Sequence, residues 1–259
     1  MAQFAPQYNL FEIIRQLRRA GTSLFWLILF FSIVPDVFKR LGFECPFLSI
    51  INIANIISIF LFFGLDLVVN YVLTPQAENK RRDDFIDNSF GSKFSIDSSI
   101  SYYDNNEVAN GLYKAAVNLF EDCFFTANLM RAALVGKIII PAIGFLSLVV
   151  LAYFGFREVP VALTVLQFLF SATILGSLVK DVILSNQLNT IEDAWIAIFQ
   201  HDNVKTDITK YHAQIYKYWL QYETLISWTQ PNISGKLYKK MNPGLTDDWA
   251  KLKAKYNIN

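Results

Sequence analysis

Cysteine and histidine are close to absent, with two of each among 259 residues. Cys45 and Cys123 are too few for a disulfide framework. The reading below puts them on opposite sides of a membrane, so no bridge between them is expected. His201 and His212 lie across an expected chain break and apart from any cysteine pair, which leaves no zinc-ligand spacing. Charge is scarce too: Asp, Glu, Lys and Arg make up 17% of the chain, and the formal net charge is +1. Whole-chain charge therefore points to no partner, and no nucleic-acid polymer is expected. No P-loop, Rossmann glycine fingerprint, GxSxG or HExxH occurs. The acidic group Asp83, Asp84 and Asp87 reads as a solvated helix start, or as ion pairs to Lys80, Arg81 and Arg82, ahead of a metal site. The sequence thus predicts no catalytic residue, no metal and no cofactor, in a protein that is not an enzyme. A small-residue cleavage site is also lacking after the first apolar run. Pro35-Asp36 and Lys39-Arg40 follow it instead, so that run reads as a retained span.

What the chain does have is apolar length. It is 53% hydrophobic and carries 23 phenylalanines. The stretch Phe47–Leu73 is interrupted by one ionisable residue, Asp66. As a helix rising about 1.5 Å per residue it is roughly 40 Å long, more than the roughly 30 Å of a bilayer's hydrocarbon core. Thr22–Phe38, Ala132–Phe156 and Val161–Leu184 are further apolar runs. The predicted fold class is an all-α membrane protein with four transmembrane helices as two hairpins, a helical cytoplasmic middle segment and a helical C-terminal tail. Residues 1–21 form an amphipathic cytoplasmic helix, 22–74 the first transmembrane hairpin and 75–131 the cytoplasmic segment. Residues 132–184 form the second hairpin and 185–259 the cytoplasmic tail. Leu10–Ala20 sets apolar residues beside Arg15, Arg18 and Arg19, which suits either a helix lying at the headgroups or an extension of the first span. Pro35 is expected to kink or stop the first span, and Thr74-Pro75 to end the second. Ala172-x-x-x-Gly176 permits close helix contact.

Lys and Arg are unevenly spread. Three precede the first span, six lie in the middle segment and nine in the tail, against two and one in the short turns. By the positive-inside rule both termini and the middle segment are cytoplasmic, although the longer segments hold more of every residue type.

The second span carries a polar stripe. At about 100° per residue, Asn52, Asn55, Asp66 and Asn70 share an arc of roughly 60°. Lipid satisfies none of them, so the stripe faces protein or water. Two roles stay open: glue between helices, or the lining of a wet pore.

In the middle segment, Asp104-x-x-Glu107 fits a capping box opening a helix over 105–130. Val108, Leu112, Ala115, Leu119, Cys123 and Met130 recur along it at helical spacing. In the tail, Ile191, Ala194, Trp195 and Ile198 form one apolar stripe. Tyr211, Ile215, Tyr218, Trp219, Tyr222 and Ile226 form another. A break is expected at His201-Asp202-Asn203 and a stop at Pro231-Asn232. Trp228, Leu237, Tyr238 and Trp249 suggest a packed end. Candidate ligand-binding residues are Arg81, Arg82, Tyr102, Tyr103 and Lys114, with Tyr113 nearby, because arginine pairs bidentately with phosphate and aromatic rings stack on bases. The same Arg pair is equally what positive-inside bias and contact with anionic lipid produce.

Two stretches, KRRDDFIDNSFGSKF (80–94) and SWTQPNISGKLYKKM (227–241), together with the two hairpins and cytoplasmic termini, resemble the SMODS-associated four-transmembrane effectors of bacterial antiphage signalling systems. At the tail the chain has Gln230-Pro231-Asn232 where that family has a Pro-Asp-Trp type of element. The resemblance implies an inner-membrane, multi-pass homo-oligomer. It would sense a cyclic nucleotide made by a phage-stimulated nucleotidyltransferase, then oligomerise or open and permeabilise the membrane. The alternative reading is a non-pore membrane scaffold or anchor that holds a soluble cytoplasmic partner.

Overall fold

In the computed structural model the apolar runs are helices far longer than a globular core needs. Residues 5–40, 42, 46–97, 99, 102, 103, 105–153, 175–201 and 203–258 are described. Among them are helices and no strand: α1 (Tyr8–Arg40), α2 (Phe47–Leu67), α3 (Thr74–Phe90), α4 (Leu112–Lys137), α5 (Ile139–Tyr153), α6 (Ser177–Phe199), α7 (Ile208–Thr229) and α8 (Gly235–Lys255). A π-helical stretch, Val68–Leu73, joins α2 to α3. Three helical stretches are long and apolar enough to cross a membrane: Tyr8–Pro35, Phe47–Phe90 and Leu112–Leu146. Val161–Ala172 of the fourth expected span, the turn at 157–160 and Cys45 lie outside the described residues.

The chain divides into two compact units. An apolar unit comprises Asn9–Ala77 and Ile138–Ser177. Its surface is oily: Phe60 is 71% exposed and Phe145 67%, an apolar exposure that suits lipid and not water. Inside it, Ile14, Val69 and Ala77 share a buried cluster backed by Leu10, Phe11 and Leu17. Further along, the Phe25 and Phe62 rings lie 6.2 Å apart. A Cβ on Gly21 would sit 3.5 Å from Leu65. Hydroxyls in α1 are satisfied within the helix, with Thr22 donating to the Arg18 carbonyl and Ser32 to that of Ile28, so they cost little in an apolar setting.

The core unit, Met1–Tyr8, Glu78–Lys137 and Leu178–Asn259, is built around α4. Thirteen residues of α4 are buried, far more than the one face an amphipathic surface helix hides. Phe120 stacks on Phe199 at 5.4 Å and meets Trp249 edge-on at 5.1 Å. Phe85 of α3, Trp195 of α6 and Ile215 of α7 complete the same cluster. Lys137 at the end of α4 pairs with Asp181 at the start of α6, 2.7 Å apart.

Several expectations are corrected. Pro35 neither stops nor divides α1, which runs unbroken from Tyr8, so Leu10–Ala20 continues straight into the span. Pro75 does not end the second span. The wider π turns ahead of it relieve the clash between its ring and the preceding turn, and Thr74 Oγ1 donates to the Val69 carbonyl at 2.8 Å. The charged run Glu78–Asp84 is therefore helix interior and not a helix start. The middle helix begins at Leu112, not 105. Asp104 of the expected capping box lies outside the described residues, and Glu107 sits in a turn. Trp228 is 51% exposed, so it does not join the packed end that Trp249 anchors. The breaks after Phe199 and Thr229 fall where expected, the second through Gln230 in a left-handed conformation (φ 50°).

Candidate functional site

The membrane-proximal basic run folds as part of α3, and α7 supplies its counter-charges. Arg81 Nε donates to Glu78 at 3.0 Å, and its terminal nitrogen donates to Glu223 at 2.6 Å. Arg82 Nε donates to the same Glu223 oxygen at 3.0 Å, while its terminal nitrogens reach Ser227 Oγ and Asn79. One carboxylate thus bridges two guanidinium groups. Burial works against the Arg81 charge, yet Glu223 and Glu78 outweigh it and hold the guanidinium's pKa well above the ordinary value. A second carboxylate, Asp122 of α4, faces this cluster and accepts a 3.2 Å hydrogen bond from the Tyr103 hydroxyl. Burial pushes its carboxyl up to about 7, with Arg81 and the Tyr103 bond pulling down and Glu223 and Asp84 adding to the rise. Asp122 keeps some surface exposure, which tempers dehydration; the crowding of carboxylates does not depend on it.

The candidate ligand residues do not form one site. Arg81 is enclosed and already paired. Tyr103 is 4% exposed, edge-on to Phe85 at 6.2 Å and to Tyr102 at 4.9 Å. Burial raises the pKa of both tyrosines above the ordinary value. Tyr113 packs on Phe199. Lys114 is buried and donates to Asn110 Oδ1 at 3.1 Å; burial lowers its pKa, with Glu107 opposing. Arg82 borders a shallow cleft of about 470 Å³ shared with Glu223, Thr224, Ser227 and Trp228.

The sequence reading missed Glu223, Ser227 and Asp122, and also a buried amide network. Asn105 Nδ2 donates to Asn118 Oδ1 and to Glu121, at 2.8 and 2.6 Å. Asn118 in turn donates to Asn88 and Ser89 at 3.0 and 3.1 Å. Beside it Asp87 accepts from Ser92 Oγ, from the backbone N–H of Phe94 and Ser95, and from Ser95 Oγ. Burial opposes the Asp87 charge, but these bonds prevail and hold its pKa below the usual carboxylate range. Arg81, Arg82, Asp84, Asp87, Asn88, Ser89 and Ser92 of 80–94 are thus committed to internal bonds. Their signal in the sequence was the density of Asp, Asn and Ser around Phe85 and Phe90, which reads equally as a loop.

The polar stripe of α2 splits in two. Asn55 Nδ2 donates to Ser32 Oγ of α1 at 3.1 Å, which is inter-helix glue. Asp66 accepts from Asn70 at 2.8 Å, and Asp66 and Asn52 are exposed. Among the described residues no group of three or more His, Cys, Asp or Glu is placed to hold a metal ion. The chain matches no protein-family model, no curated protein and no solved structure.

Proposed function

We propose that this chain is a multi-pass membrane effector of the antiphage signalling type, with four spans. A cyclic-nucleotide signal received by its core unit drives oligomerisation or opening of its apolar unit in the inner membrane. The observation that carries the reading is the meeting of the two stretches behind the family resemblance. Arg82 of 80–94 donates to Ser227 of 227–241, and Trp228 lies against the same cleft. A half-exposed guanidinium beside an exposed indole has the two elements that phosphate and base recognition use. Glu223 holds Arg82 at rest, so an incoming phosphate competes with a carboxylate for one guanidinium, and a ligand acts as a switch only by such differential contacts. Parity supports the four-span part of this reading. Residues 85–130 and 184–258 share one hydrophobic core, and a bilayer cannot pass through a core. On this reading the chain between them crosses an even number of times, with α5 as one of the crossings.

The test is dye and potassium leakage from bacteria expressing the protein with and without a cyclic-nucleotide synthase. Leakage is expected only with the synthase, and it should be lost in Arg82→Ala and altered in Asp66→Ala. Direct binding of cyclic di- and trinucleotides to the detergent-solubilised protein, abolished by Arg82→Ala, identifies the ligand class. Intact membranes in every combination sink the effector reading. The scaffold reading has its own support in the outer face of α7, where Tyr216 and Leu220 are 47% and 67% exposed. It requires a stable soluble partner in pull-down with no toxicity.

A further inference from the structure

The structure assigns Asn110-Gly111 as a site of self-modification: Asn110 deamidates when the end of α3 loosens from the loop leading into α4, and the aspartate formed pairs with buried Lys114. Asn110 is followed by glycine, and no other asparagine in the chain is. The main-chain nitrogen after an asparagine attacks the side-chain carboxamide most readily when the following residue has no Cβ in the way. Gly111 has φ +145°, a conformation that glycine adopts at no steric cost, and a Cβ built on it would meet nothing within 4 Å. Asn110 itself is exposed, so water reaches the site. Water is the one co-reactant the chemistry needs. The Gly111 nitrogen bonds to Asn110 Cγ and loses its proton to solvent. The carboxamide C–N bond breaks, ammonia leaves, and a five-membered succinimide remains. Water then opens the ring at one of its two carbonyls, giving aspartate or its main-chain-shifted isomer. The net change is carboxamide plus water to carboxylate plus ammonium, with nothing oxidised or reduced.

Contacts around the pair set its rate. The Gly111 N–H donates to the Ser89 carbonyl at 2.8 Å, so the nucleophile is occupied while the end of α3 stays in place. Ser89 is buried, and its hydroxyl accepts from Asn118 at 3.1 Å. The carboxamide is fixed as well: Oδ1 accepts from Lys114 Nζ at 3.1 Å, and Nδ2 packs over Gly91. Attack therefore waits on a local opening, which costs less than unfolding the whole core. Lys114 acts in the other direction, since an ammonium on Oδ1 stabilises the oxyanion that forms as the nitrogen adds. The product changes what Lys114 meets. Lys114 is buried, and its ammonium donates to a neutral amide oxygen. Glu107 attracts it but is bonded to Lys253, at 3.3 Å. A carboxylate at 110 makes the Lys114 bond charge-assisted, in the acid-before-lysine order at i and i+4. It also places negative charge just ahead of α4, whose first turn holds no acidic residue.

The experiment is peptide mapping by mass spectrometry of the full chain in detergent, held at neutral pH and 37 °C for weeks, beside a free peptide spanning 108–114. Deamidation at 110 should be several-fold slower in the folded protein than in the peptide. Gly91→Ala, whose new methyl pushes on the Asn110 amide, should close most of that gap. Thermal unfolding supplies a readout that does not depend on rate. Asn110→Asp should melt above wild type near pH 7, and in a Lys114→Met background the same change should bring no gain. Deamidation in the folded protein as fast as in the peptide would overturn the assignment. So would a Gly91→Ala protein that stays unmodified at 110, or an Asn110→Asp midpoint at or below wild type.

Discussion

Glu223 illustrates how much one buried side chain can hold. It pairs with Arg81 and Arg82 at once, and its own side chain is 14% exposed. A buried ion pair adds little net stability over apolar packing, but removing one partner strands the other, at about 3–5 kcal/mol. Glu223→Ala should therefore cost about 3 kcal/mol, the low end, because Glu78 still faces Arg81. Thermal or denaturant unfolding in detergent measures it. The double variant Glu223→Ala/Arg81→Met should recover part of that loss, and a double variant as unstable as the single one contradicts the account. Asp87 is the second such residue. Its four accepted bonds tie down the loop after α3, and Phe94 in that loop is 68% exposed. Asp87→Asn removes the charge that strengthens those bonds, so chymotrypsin should cut at Phe94 several times faster than in wild type. Equal cleavage rates would mean the loop is held elsewhere.

At the scale of elements, the helices were legible, and so were the ends at Phe199 and Thr229, but others were not. Apolar runs of the length of Phe47–Leu73 have one solution in lipid, a helix with all backbone bonds made internally. The tail stripes were legible for a similar reason: Ile191, Trp195 and Ile198 are all buried, as are Ile215, Tyr222 and Ile226. The errors came at prolines and caps. Pro35 and Pro75 read locally as stops, but an unfilled hydrogen bond inside a long helix costs less than ending the helix in lipid, and π turns absorb the second one. The capping-box pattern at 104–107 was overridden by tertiary contact, since Asn105 is drawn into the buried amide network with Asn118 and Glu121. The carboxylate shared by Arg81 and Arg82 was not legible, because Glu223 is more than a hundred residues away and only the packing of α3 on α7 brings it near. The true end of α3 is Gly91, at φ +72°, where its N–H reaches the Asp87 carbonyl at 2.8 Å. That is a left-handed cap favouring glycine. A Cβ there would lie 2.5 Å from the Asn110 amide nitrogen. Gly91→Ala should thus cost about 1–2 kcal/mol for the backbone conformation alone, with the displaced Asn110 loosening its bond to Lys114. A Gly91→Ala protein that melts with wild type would show the loop to be free to rearrange.

At the scale of the molecule, the core unit is assembled from stretches separated by membrane-type sequence, which constrains topology more firmly than the lysine and arginine counts do. Those counts scale with segment length and say little about the short turns. The shared core does not have this weakness: Phe120 of one stretch and Trp249 of another touch, so both lie on one side of any bilayer the chain crosses. Ile96 and Leu220 are 102% and 67% exposed and belong to those two stretches. In a Cys45→Ser background, Ile96→Cys and Leu220→Cys should both react with a membrane-impermeant maleimide only after the inner membrane is opened. On the proposed four-span reading native Cys45 should react in intact spheroplasts, while Cys123, buried in the core, should react in neither case. Labelling of Ile96→Cys and Leu220→Cys from opposite sides would be incompatible with the shared core and with the four-span reading. Labelling of both from outside would keep the fold and invert its orientation. A cytoplasmic nucleotide could then not reach the cleft beside Arg82, and the effector reading would fall.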